Sequence, residues 1–100
     1  MPRGFVGIVT ADLRFRDAGS LKDKRVHLRR VRDRLQGAHA ASFAEIGYQD
    51  QWQRSLVVFA VAASSMGVLK KRMSAAVGFL DGGDWELATV VEEVVEVDGE

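Results

Sequence analysis

The chain has 100 residues, of which 47% are apolar and 28% charged, and it contains no cysteine. These values exclude long disorder, a disulfide framework, a thiolate metal site and a cysteine nucleophile. Because no apolar run approaches about 18 residues, a membrane-spanning helix is also excluded, and we expect a cytoplasmic protein with no membrane contact.

The first predicted strand covers residues 5–15, where every second position forms an apolar set and the other positions form a mixed set. This period of two is typical of a strand with one buried face. Residues 17–19 are predicted to form the turn that follows it. The apolar set consists of Phe5, Gly7, Val9, Ala11, Leu13 and Phe15.

The first predicted helix starts at Ser20, a residue type that favours the N-cap, and Asp23 three positions later completes an approximate capping box. Apolar residues then recur on one helical stripe, and Gly37 suits the C-terminal end. The remaining surface of this helix is densely basic. The apolar stripe consists of Leu21, Leu28, Val31 and Leu35, with Lys24 between them.

Two strands are predicted at 41–48 and 54–63, joined by the short connector 49–53. A short connector favours antiparallel pairing. Residues 54–63 are almost continuously apolar, which is typical of a central strand buried on both faces.

A second amphipathic helix follows a serine cap at 64 or 65, and a Val- and Glu-rich strand is predicted at 85–97. The order β-α-β-β-α-β predicts a single α+β domain over residues 1–100, in which a four-stranded antiparallel sheet carries two helices on one face. This ferredoxin-like arrangement places the first and third strands in the centre. The far face is expected to show Val6, Ile8, part of the Val57/Phe59 strand and Val94. A second subunit most often covers such an apolar face, so we expect a homo-oligomer, most simply a dimer.

No catalytic residue, metal site or cofactor is predicted. His27 and His39 lie 12 positions apart, on a helix surface and in a loop, whereas a zinc site needs three or four organised ligands. Glu92, Glu93 and Glu96 are more simply explained as charges that protect an edge strand from aggregation.

Charge is distributed unevenly along the chain. Residues 1–80 carry a formal charge of +8 and residues 81–100 a charge of −8, which predicts a basic and an acidic side. Basic residues also crowd the start of the first helix, where the helix dipole favours anions. An anionic partner would explain them, against the simpler interpretation of a capped helix with solvated cations. The candidate contacts for RNA or another anion are Ser20, Lys22, Lys24, Arg25, Arg29 and Arg30.

A second unusual segment runs through the predicted hairpin. Trp52 lies in its loop, where exposure is costly, so we expect it to pack on the sheet edge or to form an interface. Arg54 is expected to pair with Glu45 or Asp50. The candidate hairpin or interface residues are Glu45, Asp50, Trp52, Gln53 and Arg54.

The motif SLKDKR after the first strand and the motif E-x-G-x-Q-D-x-W-Q-R through the hairpin resemble those of the YlxP-like family of small bacterial proteins, a domain-of-unknown-function family. The resemblance spans essentially the whole chain. It implies a ferredoxin-like fold, frequent oligomerisation and a bacterial cytosol. It also implies a connection with ribosomes or RNA, because family genes often neighbour those for translation initiation and ribosome maturation. It carries over no catalytic residues, and the acidic C-terminal stretch departs from the family pattern.

These observations lead to three hypotheses. The first is a non-enzymatic accessory protein that contacts RNA or a ribosomal particle through its basic first helix. The second is a self-associating, protein-binding module with no role in nucleic-acid binding. The third is a protein that binds, or hydrolyses, a small anionic ligand at the first helix N-terminus, beside Ser20.

Overall fold

A computed structural model describes residues 2–99 and gives them the element order β-α-β-β-α-β. The four strands form one antiparallel sheet in the order β2-β3-β1-β4. This topology confirms the ferredoxin-like α+β fold and the central positions of the first and third strands. The elements are β1 (Arg3–Arg14), α1 (Leu21–Gly37), β2 (Ser42–Gly47), β3 (Arg54–Ala63), α2 (Met66–Asp81) and β4 (Glu86–Asp98).

The core lies between the sheet and the two helices. The apolar set of β1 faces the helices as the alternation predicts, and Val9, Leu13 and Phe15 are fully buried. Gly7 also belongs to this set, and its missing side chain makes room for Met73 of α2, whose thioether occupies the place of a Cβ. The helices contribute Val31, Leu35, Leu69, Met73, Ala76 and Leu80.

Serine caps begin both helices. Ser20 Oγ accepts a hydrogen bond from Asp23 N at 3.0 Å, and Ser65 Oγ accepts one from Val68 N at 3.2 Å. The helix α1 ends at Gly37 as predicted, although the C-cap itself is the next residue, Ala38, in a right-handed conformation. The chain turns afterwards at Ala40, which adopts a positive φ of 51°.

The far side of the sheet, which we call the open sheet face, differs in part from the expectation. Part of the third strand lies there as expected, through Leu56 and Val58, while Val57 and Phe59 are buried beneath the helices. Val94 pairs with Gly7 and therefore lies on the helix side. The apolar residues of the open sheet face are Val6, Ile8, Ile46, Leu56, Val58, Val91, Val95 and Val97.

Candidate functional site

Lys24 projects from α1 into the protein, and only 2% of its side chain is exposed. Its ammonium group lies 2.9 Å from Glu45 Oε2 and donates hydrogen bonds to the carbonyl oxygens of Tyr48, at 2.7 Å, and Gln49, at 3.3 Å. Glu45 Oε2 also accepts a hydrogen bond from Ser55 Oγ at 2.6 Å. The anion that partners Lys24 is therefore internal, and Lys24 is unavailable to RNA in this structure.

This buried pair joins the two sequence motifs, since Lys24 belongs to the helix start and Glu45 to the hairpin. Tyr48 adopts a positive φ of 56°, which is uncommon for a bulky residue. That conformation accompanies the hydrogen bond between the Tyr48 carbonyl and the Lys24 ammonium. The motif residues at this junction hold the hairpin against α1.

Gln53 fastens the same hairpin to the turn that follows β1. Its side-chain amide donates to the carbonyl oxygens of Arg16, at 3.0 Å, and Ala18, at 3.1 Å. The backbone carbonyl oxygen of Gln53 accepts a hydrogen bond from the backbone N–H of Phe15 at 3.0 Å. Gln53 therefore provides hydrogen-bond partners for backbone groups of this turn, which lies beyond the paired part of β1.

Arg54 pairs with Asp12 of β1, although the sequence analysis expected Glu45 or Asp50. Its Nη2 lies 2.8 Å from Asp12 Oδ2, and its guanidinium stacks over the ring of Tyr48 at 3.7 Å. The hydrogen bond from Arg54 is the largest effect on the pKa of Asp12, which is lowered despite burial of the carboxylate. Arg14 Nε also contacts Asp12, at 3.3 Å.

The N-terminus of α1 is already occupied by groups of the chain itself. Ser20 Oγ accepts from Asp23 N, and Asp23 Oδ2 accepts from Gly19 N at 3.0 Å. With Lys24 buried, the donors that an external anion would use beside Ser20 are partly committed.

Four of the exposed cations of α1 fall on one side of the helix. Lys22, Arg25, Arg29 and Arg32 follow one another at spacings of three, four and three residues, which places them along one face. We call these four residues the basic stripe. Arg25, Arg29 and Arg32 surround a shallow depression of about 190 Å³ whose floor is Leu28 and Phe43.

Arg30 lies away from the basic stripe, towards α2. Its Nη1 is 3.7 Å from Asp84 Oδ2, and both side chains are largely exposed. Arg30 therefore does not join the basic stripe, in which Arg32, a residue not among the candidates, lies beside Lys22, Arg25 and Arg29.

Asp50 and Trp52 are exposed at the tip of the hairpin, and the Trp52 side chain remains 53% accessible. About half of Trp52 is thus accessible for contact with a partner. With Asp50, Gln51 and Gln53 it borders a surface depression of about 380 Å³, which we call the Trp52 depression.

A cleft that the sequence did not predict lies at the end of β1, on the open sheet face. Its volume is about 580 Å³, and we call it the arginine cleft. The available signal in the sequence was the pair Arg14 and Arg16, which flank Phe15, the last residue of the apolar set. The lining residues are Arg14, Arg16, Gln51, Gln53, Arg54, Glu86 and Ala88.

Both histidines pack against aromatic rings. His27 stacks on Phe15 with ring centroids 5.3 Å apart, and His39 stacks on Phe79 at 5.7 Å.

Within residues 2–99, the structure brings together no group of three His, Asp or Glu side chains that could hold a metal ion. Among the same residues, no helix has the length and apolar character needed to cross a membrane.

Comparison with known proteins gives one family. Residues 6–93 match the family described as "Protein of unknown function (DUF503)", a range that includes both motifs. The chain is also 38% identical, over 76 residues, to the protein named "Uncharacterized protein YlxP" of Bacillus subtilis (strain 168). That alignment covers 76% of this chain and 83% of the relative. The chain therefore belongs to the DUF503 family, in agreement with the resemblance carried by its two motifs.

Proposed function

We propose that this protein is a non-enzymatic accessory factor that associates with RNA or a ribosomal particle through the basic stripe of α1. The observation that carries this proposal is the row of four exposed cations, Lys22, Arg25, Arg29 and Arg32, on one side of the helix. Only Arg32 pairs with a carboxylate among the described residues, at 2.9 Å from Asp33 Oδ1.

The dimensions of the basic stripe suit a phosphate backbone. A helix rises 1.5 Å per residue, so the ten-residue separation between Lys22 and Arg32 spans about 15 Å. That length accommodates several consecutive phosphates of a nucleic acid strand. Cations that contact phosphates supply affinity and steering without reading the base sequence.

The chemistry of the depression between the arginines fits the same use. Leu28 and Phe43 form an apolar floor, while Arg25, Arg29 and Arg32 provide the rim, and no carboxylate lines the depression. An anion seated there meets Arg25 and Arg29 without a competing carboxylate, and it shares Arg32 with Asp33. Guanidinium groups also bind phosphate with two parallel hydrogen bonds, which a lysine does not provide.

A binding assay with a matched control tests this proposal. The variant R25E/R29E should bind a fluorescently labelled structured RNA fragment at least about tenfold more weakly than the wild type, by fluorescence anisotropy. K70E/K71E makes the same kind of charge reversal at two exposed residues of α2 and should have a much smaller effect. Equal losses in the two variants would mean that net charge alone is responsible, and an unchanged affinity of R25E/R29E would refute the proposal.

A second candidate function, self-association, is favoured by the open sheet face. Ile46, Val91 and Val95 are each about half exposed there, at 52%, 57% and 47%. Apolar patches of this kind mark interaction surfaces in soluble proteins. A second copy of this chain is the simplest occupant, since the acidic β4 of one copy and the basic residues of another have complementary charges.

A further inference from the structure

We infer that the arginine cleft and the adjoining Trp52 depression form a binding site for a nucleotide, with the phosphate held by arginines and the base stacked on Trp52. This inference deepens the proposed association with RNA by adding a second contact surface. The surface is separate from the basic stripe. Arg14 and Arg54 lie on the open sheet face, whereas α1 packs on the other side.

Arg14 and Arg16 of the cleft each contact a carboxylate through Nε, which uses only part of the guanidinium group. Arg16 Nε lies 2.7 Å from Glu86 Oε2, and Arg14 Nε lies 3.3 Å from Asp12 Oδ1. Among the contacts of residues 2–99, the Nη groups of these two arginines have no hydrogen-bond partner. Four Nη donor groups thus remain for a ligand, on side chains that are 41% exposed for Arg14 and 82% exposed for Arg16.

The charge of the cleft favours an anion. Three guanidinium groups meet there, and the carboxylates of Asp12 and Glu86 offset two of the three positive charges. The pKa of Glu86 is lowered, first by its hydrogen bond from Arg16, so this carboxylate stays ionised and continues to orient that arginine at neutral pH. A phosphate adds the negative charge that completes the balance.

The second half of the site is the exposed indole. The Trp52 depression shares Gln51 and Gln53 with the arginine cleft, so the two are contiguous. An exposed aromatic ring beside a cationic groove is the arrangement with which proteins stack bases of single-stranded nucleic acid. Arg54, fixed over Tyr48 at 3.7 Å, shows that guanidinium and aromatic planes already stack at this end of the molecule.

A ligand that carries both a base and a phosphate therefore fits this site. Such a ligand is either a free mononucleotide or one nucleotide of a single-stranded RNA. The arginine cleft holds about 580 Å³, enough for a phosphate with its sugar. An acidic peptide would use the arginines but would leave Trp52 without a stacking partner. We therefore favour a nucleotide, and the peptide becomes an outcome of the test.

The test uses the fluorescence of Trp52, with adenosine 5′-monophosphate and a short oligoadenylate as probes. Saturable quenching is expected in the wild type, and it should be lost in W52F, which retains Trp85 as the other tryptophan. R14Q/R16Q should weaken binding of both probes by about tenfold or more, because two charged hydrogen-bond donors are removed. The control K70Q/K71Q removes the same charge from α2 and should bind as the wild type does.

The probes also distinguish the sources and the alternatives. Binding of both probes indicates a mononucleotide site, and binding of oligoadenylate alone indicates an RNA site; either result supports the inference. Absence of saturable quenching, equal binding of unphosphorylated adenosine, unchanged binding in R14Q/R16Q, or displacement of the nucleotide by equimolar oligoglutamate would overturn it.

Failure of this inference and failure of the proposed function give different patterns. R25E/R29E should keep the adenylate-induced quenching of Trp52 while it loses affinity for structured RNA. R14Q/R16Q should lose the quenching and keep the contribution of the basic stripe. If the arginine cleft binds no nucleotide but R25E/R29E still weakens RNA binding, only the inference fails. If the arginine cleft binds a nucleotide but R25E/R29E leaves RNA binding unchanged, only the proposed role of α1 fails.

Discussion

At the scale of single residues, Lys24 shows how one position in a basic segment serves the fold. Its sequence neighbours Lys22 and Arg25 are exposed, whereas Lys24 is buried against Glu45 and two backbone carbonyls. The crowding of cations against the helix dipole was visible in the sequence. The partner was not, because Glu45 lies 21 positions away and meets Lys24 only when β2 packs beside α1.

Replacing Lys24 should therefore reduce stability sharply. K24M leaves the Glu45 carboxylate and two carbonyls without their donor, and breaking a buried ion pair in this way costs about 3 kcal/mol. Urea unfolding should show this loss, while K22M, at an exposed site, should change the free energy of unfolding by less than about 0.5 kcal/mol. The double variant K24M/E45Q should lose less than the sum of the single variants, because its unpaired charge is gone. Strict additivity would show that the pair is not coupled.

Asp12 predicts how stability depends on acid pH. Its pKa is lowered below the ordinary value of 3.8, chiefly by the hydrogen bond from Arg54. The unfolded chain therefore binds the proton first, so the contribution of Asp12 is present above that ordinary value and is lost as pH falls through the lowered folded pKa. The free energy of unfolding of D12N, measured from neutral pH to pH 3, should fall less steeply than that of the wild type. Parallel curves would contradict the role of this ion pair.

At the scale of elements, the order and type of all six followed from periodicity and caps, because each buried face leaves a pattern in the sequence. The third strand marks where this reasoning stops. Residues 56–62 are apolar at every position, so no alternation shows that Val57 and Phe59, rather than Leu56 and Val58, face the helices. The arginine cleft was missed for a related reason: its lining comes from β1, the hairpin and β4, which only the folded sheet brings together.

Ser20, at the start of α1, has two possible roles, as a helix cap and as part of an anion site, and one variant distinguishes them. S20A removes the oxygen that accepts the Asp23 N–H and should cost about 1 kcal/mol in thermal or urea unfolding, as S65A should at the start of α2. If the helix start is not itself an anion site, S20A should bind RNA as the wild type does. A specific loss of RNA affinity in S20A, absent in S65A, would instead support an anion site beside Ser20.

At the scale of the whole molecule, the uneven charge and the open sheet face are two separate surface features. The cations of residues 1–80 include the basic stripe, whereas the acidic stretch from 81 onward includes β4 at the edge of the sheet. A protein with zero net charge thus presents surfaces of opposite sign. That separation is compatible with both proposals, binding of a nucleic acid at the basic stripe and self-association through the open sheet face.

Self-association should depend on the open sheet face. Sedimentation equilibrium is expected to show a dimer for the wild type and a shift towards monomer for V91K/V95K, which places two charges among exposed apolar residues. V68K introduces a lysine at an exposed valine of α2 and should keep the wild-type mass distribution. A monomeric wild type, or equal dissociation of the two variants, would exclude this face as the interface.

The central claim is that the basic stripe of α1 contacts phosphates, and the salt dependence of RNA affinity tests it most directly. The slope of log K against log salt concentration measures the number of phosphates neutralised, at about 0.7 per contact for single strands. The wild type should have a slope of about −2 to −3 with a single-stranded RNA, and R25Q/R29Q should make the slope shallower by about 1.4. Equal slopes for the wild type and R25Q/R29Q would contradict the account.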